Sequence, residues 1–360
     1  MTMLQWSLVI ATLNRHPVLR KALETALRQT RPPAEIIVVD ASADFAACRD
    51  DVLRSFAAER PEIRWIYLPS TERSLTYQRN VGLREVTCPV AFFFDDDTLL
   101  FPDCAEEIMR TYERDTAGEL GGIAAALHPL SPLDAPATTL DTPDARPAAR
   151  QRMKDKLRDL VLAPWDQHRL FIPYDGTYHA RMPDSLQSDP ALAPEALFHG
   201  CRMTFRTCAI RRAGGFSEVL TRHCFGEDID ASYRVSRALA LIVNHRARVH
   251  HAMAPASRAR RRAQATLVIL NAAVLFSMYR NPALGLRRQV WRFVFTRLMV
   301  EFARDSLKPW RRYPNFQGVW RAMRALPRFL RATTAELRAI YPAYQQELID
   351  GPLPTRLARS

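Results

Sequence analysis

The sequence predicts an α/β protein, with a mostly parallel central sheet flanked by helices and a carboxyl-terminal helical appendage. Three observations carry this. Short runs of apolar β-formers alternate with helix-length segments four times in the first hundred residues. The fourth run, Val90 to Phe94, ends in three consecutive carboxylates, Asp95, Asp96 and Asp97. Beyond residue 254 strand patterning gives way to helical segments in which Arg alternates with Trp and Phe.

Taken in order, Ser7 to Ala11 reads as a buried strand and Pro17 to Arg28 as a helix with proline in its first turn. Glu35 to Val39 is a second strand ending in Asp40, followed by a helix from about Phe45 to Glu59. Trp65 to Leu68 is a third strand, Leu75 to Glu85 a helix, Val90 to Phe94 a fourth strand, Pro102 to Arg114 a helix and Gly122 to Leu127 a strand. Asp40 and Asp95 both fall at carboxyl ends of strands, where such sheets bind ligands. A GxGxxG fingerprint after the first strand is absent, which removes the Rossmann dinucleotide class.

The stretches Leu130 to Arg150 and Tyr174 to Pro194 read as surface excursions and as the variable wall of a pocket. Ile210 to Phe216 is a helix end closed by Gly214 or Gly215. Gly226 introduces a helix to about Ala240 with Glu227 and Asp228 in its first turn, where carboxylates are ordinary capping groups. Leu241 to Val243 returns to strand. The basic helices are expected over Ala256 to Tyr279, Pro282 to Ser306 and Gln317 to Arg338. They suit two roles equally, a bundle packed on the α/β domain or a contact with an anionic membrane surface.

A formal net charge of +13, from 51 Lys+Arg against 38 Asp+Glu, implies an anionic partner. The mixed signs of the early chain and the lack of any nucleic-acid module argue against nucleic acid. Six cysteines without a CxxC pair argue against a disulfide framework and a thiolate zinc site, and fit a reducing cytoplasm. No basic segment precedes the first apolar run, so a signal peptide is not expected. The window Ala263 to Met278, broken by Gln264 and Asn271, reads as too short for a transmembrane helix.

Three like charges cannot share a dry site cheaply. Asp95 and Asp97 can bracket a hard divalent cation whose charge cancels their repulsion and whose open positions accept phosphate oxygens. A solvated acidic turn is the plain alternative. Asp96, the middle residue, should face away as a structural group.

Together the segments SLVIATLNR, EIIVVDAS, LTYQRNVGL, FFFDDDTLLFPD, GCRMTFR, GGF, FGEDIDASYR and VHH resemble the family 2 glycosyltransferases of GT-A fold, over roughly Ser7 to His251. The resemblance implies a catalytic domain over 1–254, with nucleotide-sugar binding in 1–127 and acceptor binding in 128–254, and a basic helical appendage over 255–360. It implies an inverting transfer of a sugar from a nucleotide diphosphate donor, UDP-, dTDP- or GDP-linked, to an acceptor hydroxyl. The acceptor would be a saccharide or lipid-linked saccharide of cell-surface polysaccharide or glycolipid synthesis, with dTDP-rhamnose a reasonable donor and galactose or glucose from UDP nearly as reasonable. By the same resemblance Asp40 meets the nucleobase and Thr12 and Arg15 the nucleotide. Asp95 stands toward the ribose or a metal-bound water, and Arg79 near the diphosphate beside Gln78 and Asn80. Asp97, with Asp95 and His250, holds Mg²⁺ or Mn²⁺, His251 being the lesser claimant. Asp228 is the general base and Glu227 its orienting neighbour, with Asp230 and Arg234 in support. The segment RSLTY stands where the family often carries glycine, which puts donor-side contacts in doubt. The expected location is cytoplasmic and peripheral on the inner membrane face. A metal-dependent nucleotidyltransferase and a non-catalytic membrane-associated scaffold remain the alternatives, while Leu99 stands where a HAD-type phosphatase needs Thr or Val.

Overall fold

A computed structural model describes residues 3–134, 179–198, 200–222, 225–253, 261–279, 285–307 and 312–350. Residues 135–150 and 174–178 of the two excursions expected to wall a pocket lie outside the described residues, as does Cys224, whereas the described end of the second excursion, Leu192–Glu195, is a strand of the sheet rather than a surface loop. The chain divides into two compact units: one within Met1–Asp144, His179–Glu218 and Glu227–Ser257, the other containing Val219–Gly226 and the helices of Arg258–Ser360.

In the first unit a nine-stranded sheet has the order β3-β2-β1-β4-β8-β6-β9-β5, with β7 paired to β9. The strands are β1 (Trp6–Thr12), β2 (Glu35–Asp40), β3 (Arg64–Pro69), β4 (Val90–Phe93), β5 (Thr98–Leu100), β6 (Leu120–Leu127), β7 (Leu192–Glu195), β8 (Met203–Arg206) and β9 (Ala240–His251). The helices of this unit are α1 (His16–Leu27), α2 (Phe45–Val52, continued by a wider turn over Leu53–Ala57), α3 (Leu75–Glu85), α4 (Cys104–Arg114), α5 (Thr207–Arg212) and α6 (Glu227–Ser236). Where helices intervene, β3, β2, β1 and β4 pair in parallel. Beyond β4 the sheet is mixed: β8 lies antiparallel to both β4 and β6, β6 and β9 are parallel, and β5 and β7 run antiparallel to β9. β9 is much longer than the three residues the sequence suggested, because its far end is paired by β5 rather than marked by its own apolar pattern.

Alternation along the central strands fills both faces of the sheet. Leu8, Ile10, Ile36, Val38 and Phe92 enter one core cluster, and Val9, Ile37, Val39, Ala91 and Phe93 the other. α3 lies close on the second face because residue 82 is glycine: a Cβ there would come 2.4 Å from Val9 Cγ1.

Among the described residues of the second unit's C-terminal part, four helices stand where three were expected: α7 (Arg261–Tyr279), α8 (Leu286–Ser306), α9 (Pro314–Arg331) and α10 (Thr334–Asp350). The third expected helix divides at Ala332, which is extended. α7 has 19 residues and is long and apolar enough to cross a membrane, longer than the window set aside from the sequence. With 56% of its apolar window buried, including Thr266 and Asn271, it also serves as the core helix of this unit.

Glu35, buried at the start of β2, ties three elements together. It accepts hydrogen bonds from Ser7 Oγ (2.5 Å), Thr87 N (3.0 Å) and Arg64 Nη1 (2.8 Å), and from Thr87 Oγ1. Burial raises its pKa, but the donors Ser7, Thr87 and Arg64 outweigh this and hold it down, at about 2. A depressed carboxyl contributes stability above its unfolded value of 4.5, lost as pH falls toward 2. Glu35→Gln should therefore lower stability at pH 7 by about 1–3 kcal/mol and flatten the acid limb, measured by urea unfolding between pH 7 and pH 3.

Candidate active site

The acidic triplet leaves β4 and folds at once into a tight turn, closed by Thr98 N donating to Asp95 O at 3.0 Å. The turn separates the three carboxylates. Asp96 points into the protein, where Thr12 Oγ1 donates to its Oδ2 (2.8 Å) and Arg15 Nη1 reaches its Oδ1 (2.7 Å). Burial pushes Asp96 up to about 7, Asp95 and Asp97 adding to this against the opposing pull of Arg15 and Thr12. Asp96 thus braces the loop after β1, the structural place expected of it.

Asp97 is 3% exposed and meets two cationic or potentially cationic groups, Arg15 Nη2 at 2.5 Å and His251 Nε2 at 3.1 Å. Burial would raise its pKa, but His251 and Arg15 hold it well below the ordinary carboxylate range. Ligand atoms of Asp95, Asp97 and His251 lie within 4.8 Å of one another. Two carboxylate oxygens and one imidazole nitrogen at this separation fit a Mn²⁺ or Mg²⁺ ion with positions left for phosphate oxygens.

This corrects the choice between the adjacent histidines. In the antiparallel pairing of β5 and β9, His251 stands opposite Thr98, next to Asp97, and His250 opposite Leu99. His250 is turned to the other face, with Nδ1 3.1 Å from His128 O. The alternation that forbids both histidines from one ion was legible in the sequence. Which of them faces the triplet depends on strand register, which was not.

Arg79 on α3 joins the other carboxylates. It is 2% exposed, donates from Nη2 to Asp95 Oδ1 (2.8 Å) and from Nη1 to Glu227 Oε1 (3.0 Å), and lies 5.3 Å over the Phe216 ring. Its neighbours Gln78 and Asn80 are fully used in holding the frame. Gln78 Nε2 donates to Thr12 O (2.9 Å) and Val39 O (2.7 Å), and Asn80 exchanges bonds with Phe216 N and O, both at 2.8 Å. At Gly215, φ is +68° and a Cβ would meet Asn80 Oδ1 at 2.6 Å, which is why glycine stands there.

Glu227 and Asp228 open α6, as expected. Glu227 is buried, and burial together with the Asp228 charge pushes it up to about 8 against the pull of Arg79. Asp228 is half-buried, its Oδ2 accepting from Gly200 N (2.5 Å) and its Oδ1 from Ile229 N (2.8 Å). Asp230 and Arg234 form a separate clamp, Arg234 Nη2 donating to Asp230 Oδ2 (2.6 Å) and Gly215 O (2.7 Å). Asp40 is buried at the end of β2, with Tyr67 Oη donating to Oδ2 and Ser42 N to Oδ1, each at 2.7 Å. Burial and Asp40 raise the Tyr67 phenol pKa, so it remains a donor. Tyr67 went unrecognised in the sequence, although its position in WIYLP, one parallel strand from EIIVVD, was the available signal.

The mixed sheet flanked by helices is similar to the GT-A fold, as comparison with solved structures shows. A mannosyltransferase from Pyrobaculum calidifontis, in complex with GDP-Man and Mn²⁺, superposes with a TM-score of 0.52 at 14% identity, covering 96% of this chain and 89% of that one. GalNAc-T7 with UDP, GalNAc and Mn²⁺ gives 0.54 at 11% identity, over 95% and 58%. Residues 7–131 match the family described as Glycosyl transferase family 2, the one the motifs resemble. Validoxylamine A glucosyltransferase of Streptomyces hygroscopicus subsp. limoneus is 25% identical over 234 residues, 64% of this chain, and the match spans about half of that protein (47%).

The two histidines make distinct predictions. His251→Ala should weaken Mn²⁺ binding at least about tenfold, the scale of losing one ligand or its support, while His250→Ala leaves it within about twofold. Titration calorimetry with Mn²⁺ and a nucleoside diphosphate checks this, and the reverse order would reinstate His250.

Proposed function

We propose that the chain is a metal-assisted, inverting glycosyltransferase that moves a sugar from a nucleoside diphosphate sugar to an acceptor hydroxyl. One observation carries the reading: the Arg79 guanidinium has the Asp95 and Asp97 group at one end and the Glu227 and Asp228 pair at the other. An in-line displacement at the anomeric carbon needs this arrangement, with leaving-group stabilisation on one side and a base on the other.

In this reading Asp228 takes the proton of the acceptor hydroxyl as its oxygen attacks the anomeric carbon. Hydrogen bonds from Gly200 N and Ile229 N fix the carboxylate. Glu227, fastened by Arg79, orients the acceptor side. Asp40, set by Tyr67 and Ser42, accepts from the nucleobase, while Thr12 and Arg15 form the wall beside the nucleotide. Arg79, within hydrogen-bonding distance of Asp95, offers positive charge to the diphosphate. A divalent cation at Asp95, Asp97 and His251 would supply Lewis-acid neutralisation of the departing diphosphate.

GDP-Man and UDP in the similar solved structures support a nucleotide-sugar donor without choosing among UDP-, GDP- and dTDP-sugars. dTDP-rhamnose therefore stays beside UDP-glucose and UDP-galactose in the donor panel. The acceptor proposed is a saccharide or lipid-linked saccharide in cell-surface polysaccharide or glycolipid synthesis, reached from the cytoplasmic face of a membrane.

The test is turnover of this panel with Mn²⁺ or Mg²⁺. Binding and hydrolysis of at least one nucleotide sugar is expected, and failure of every donor to bind would overturn the reading. With the active donor, Asp228→Asn should leave donor affinity within about threefold while lowering transfer at least about a hundredfold. A rate within a few-fold of the parent removes Asp228 from the base role.

A further inference from the structure

The helical unit carries a cavity of about 770 Å³ that the proposed sugar transfer does not use. Its wall combines Arg262 of α7 with Arg321 and Arg324 of α9, opposed by one carboxylate, Glu347 of α10. Phe316 and Trp320 of α9 and Tyr344 of α10 supply the apolar part. Close packing puts these groups together: Thr266 Oγ1 donates to Arg262 O and Gly318 O, each at 2.9 Å, and a Cβ on Gly318 would come 2.4 Å from Arg262 O. The first turn of α9 is fixed by Asp305, which accepts from Asn315 N (2.9 Å) and Phe316 N (3.0 Å). Arg262 Nε is buried without a hydrogen-bond partner. Buried guanidinium donors are ordinarily paired, so this one is a place for an acceptor to fill.

The apolar wall continues onto the surface. Phe316 lies 5.5 Å from Phe302 of α8 and 6.5 Å from Trp320. Phe302 is 45% exposed and Trp320 46%, and α8 also exposes Phe295 and Met299, at spacings of four and three residues that place Phe295, Met299 and Phe302 on one helix face. Arg288 and Arg292, also exposed, extend the same face toward the start of α8. Residues 258–360 contain 20 Lys+Arg against 5 Asp+Glu, so the basic excess of the protein resides in this part of the sequence. An apolar strip bordered by arginines, running into an arginine-lined cavity, has the chemistry of an anionic amphiphile.

We propose that this unit captures an anionic phospholipid from a bilayer surface, its phosphate at Arg262, Arg321 and Arg324 and its chains along Phe316, Trp320 and Phe302. The inference rests on the membrane-face acceptor of the proposed function and narrows the anionic membrane contact expected of the basic helices to one lipid site. The cavity sets the site apart from general charge attraction, because only groups lining it should matter beyond their charge.

Flotation of the full chain decides the matter, with vesicles of phosphatidylcholine alone or with 20 mol% phosphatidylglycerol. Flotation with the anionic vesicles only is expected. The double substitution Arg321→Gln/Arg324→Gln should weaken binding at least about tenfold. Arg288→Gln/Arg292→Gln, an equal loss of charge outside the cavity, should cost no more than about threefold. Trp320→Ser, which leaves charge unchanged, should also weaken binding several-fold, and all three variants should keep parental circular dichroism and donor turnover. Equal losses from the two arginine pairs would overturn the cavity while leaving the membrane reading in place. No flotation with any vesicle would overturn both. Inorganic phosphate at 10 mM and constant ionic strength should not release the protein, and release would reassign the cavity to a free anion.

Discussion

A guanidinium with almost no access to water spans two carboxylates from distant parts of the chain, Asp95 sixteen residues and Glu227 148 residues from Arg79. Such an arrangement is costly to assemble, since each charge loses several kcal/mol of hydration, roughly recovered only when the geometry satisfies all partners. The rest of the first unit supplies that geometry. α3 can approach β1 because residue 82 is glycine, and the Phe216 ring covers the guanidinium face. Replacing Arg79 would leave Glu227 buried without its cation, so this contact constrains the fold more tightly than the exposed ion pairs do.

The polar neighbours of Arg79 show the same coupling from the backbone side. Gln78 fastens the carboxyl ends of β1 and β2, and Asn80 fastens the turn at Gly215 and Phe216. Three successive side chains of one helix therefore hold the ends of β1 and β2, the acidic turn and the approach to α6. Arg15 does comparable service in front of the sheet, reaching Asp96 and Asp97 together, so that the triplet is split into one bracing carboxylate and one that faces His251.

The helical unit is organised differently. Its centre is the crossing of α7 and α9, where small Gly318 admits the backbone of the other helix and Thr266 bonds both carbonyls. Tyr341 Oη adds a bond to Asn271 Oδ1 (2.5 Å) and Asn271 Nδ2 donates to Phe225 O (3.0 Å), so Asn271, one of the two polar residues that made α7 look unlike a membrane span, is satisfied inside the unit, while Gln264 is exposed. Arginines are left on its surface and around its cavity.

The sequence by itself determined the central strands, the helix between each pair, the carboxylate turn after β4 and the first-turn position of Glu227 and Asp228. These are local facts: apolar alternation, strand length and turn residues act within a few positions of one another. Motif order over Ser7 to His251 was enough to point to the family 2 glycosyltransferases, the family that residues 7–131 match. Only the tertiary structure decided what depends on register and long-range approach. The antiparallel part of the sheet, the length of β9, the place of Tyr67 at Asp40 and the use of Gln78 and Asn80 as braces come from contacts dozens of residues apart. His251 rather than His250 beside Asp97 is the plainest case, for a shift of one residue in the pairing of β5 with β9 would exchange the two faces. The cavity between α7, α9 and α10 is another, since nothing in the spacing of Arg262 and Arg321 along the chain reveals that Gly318 brings them to one wall.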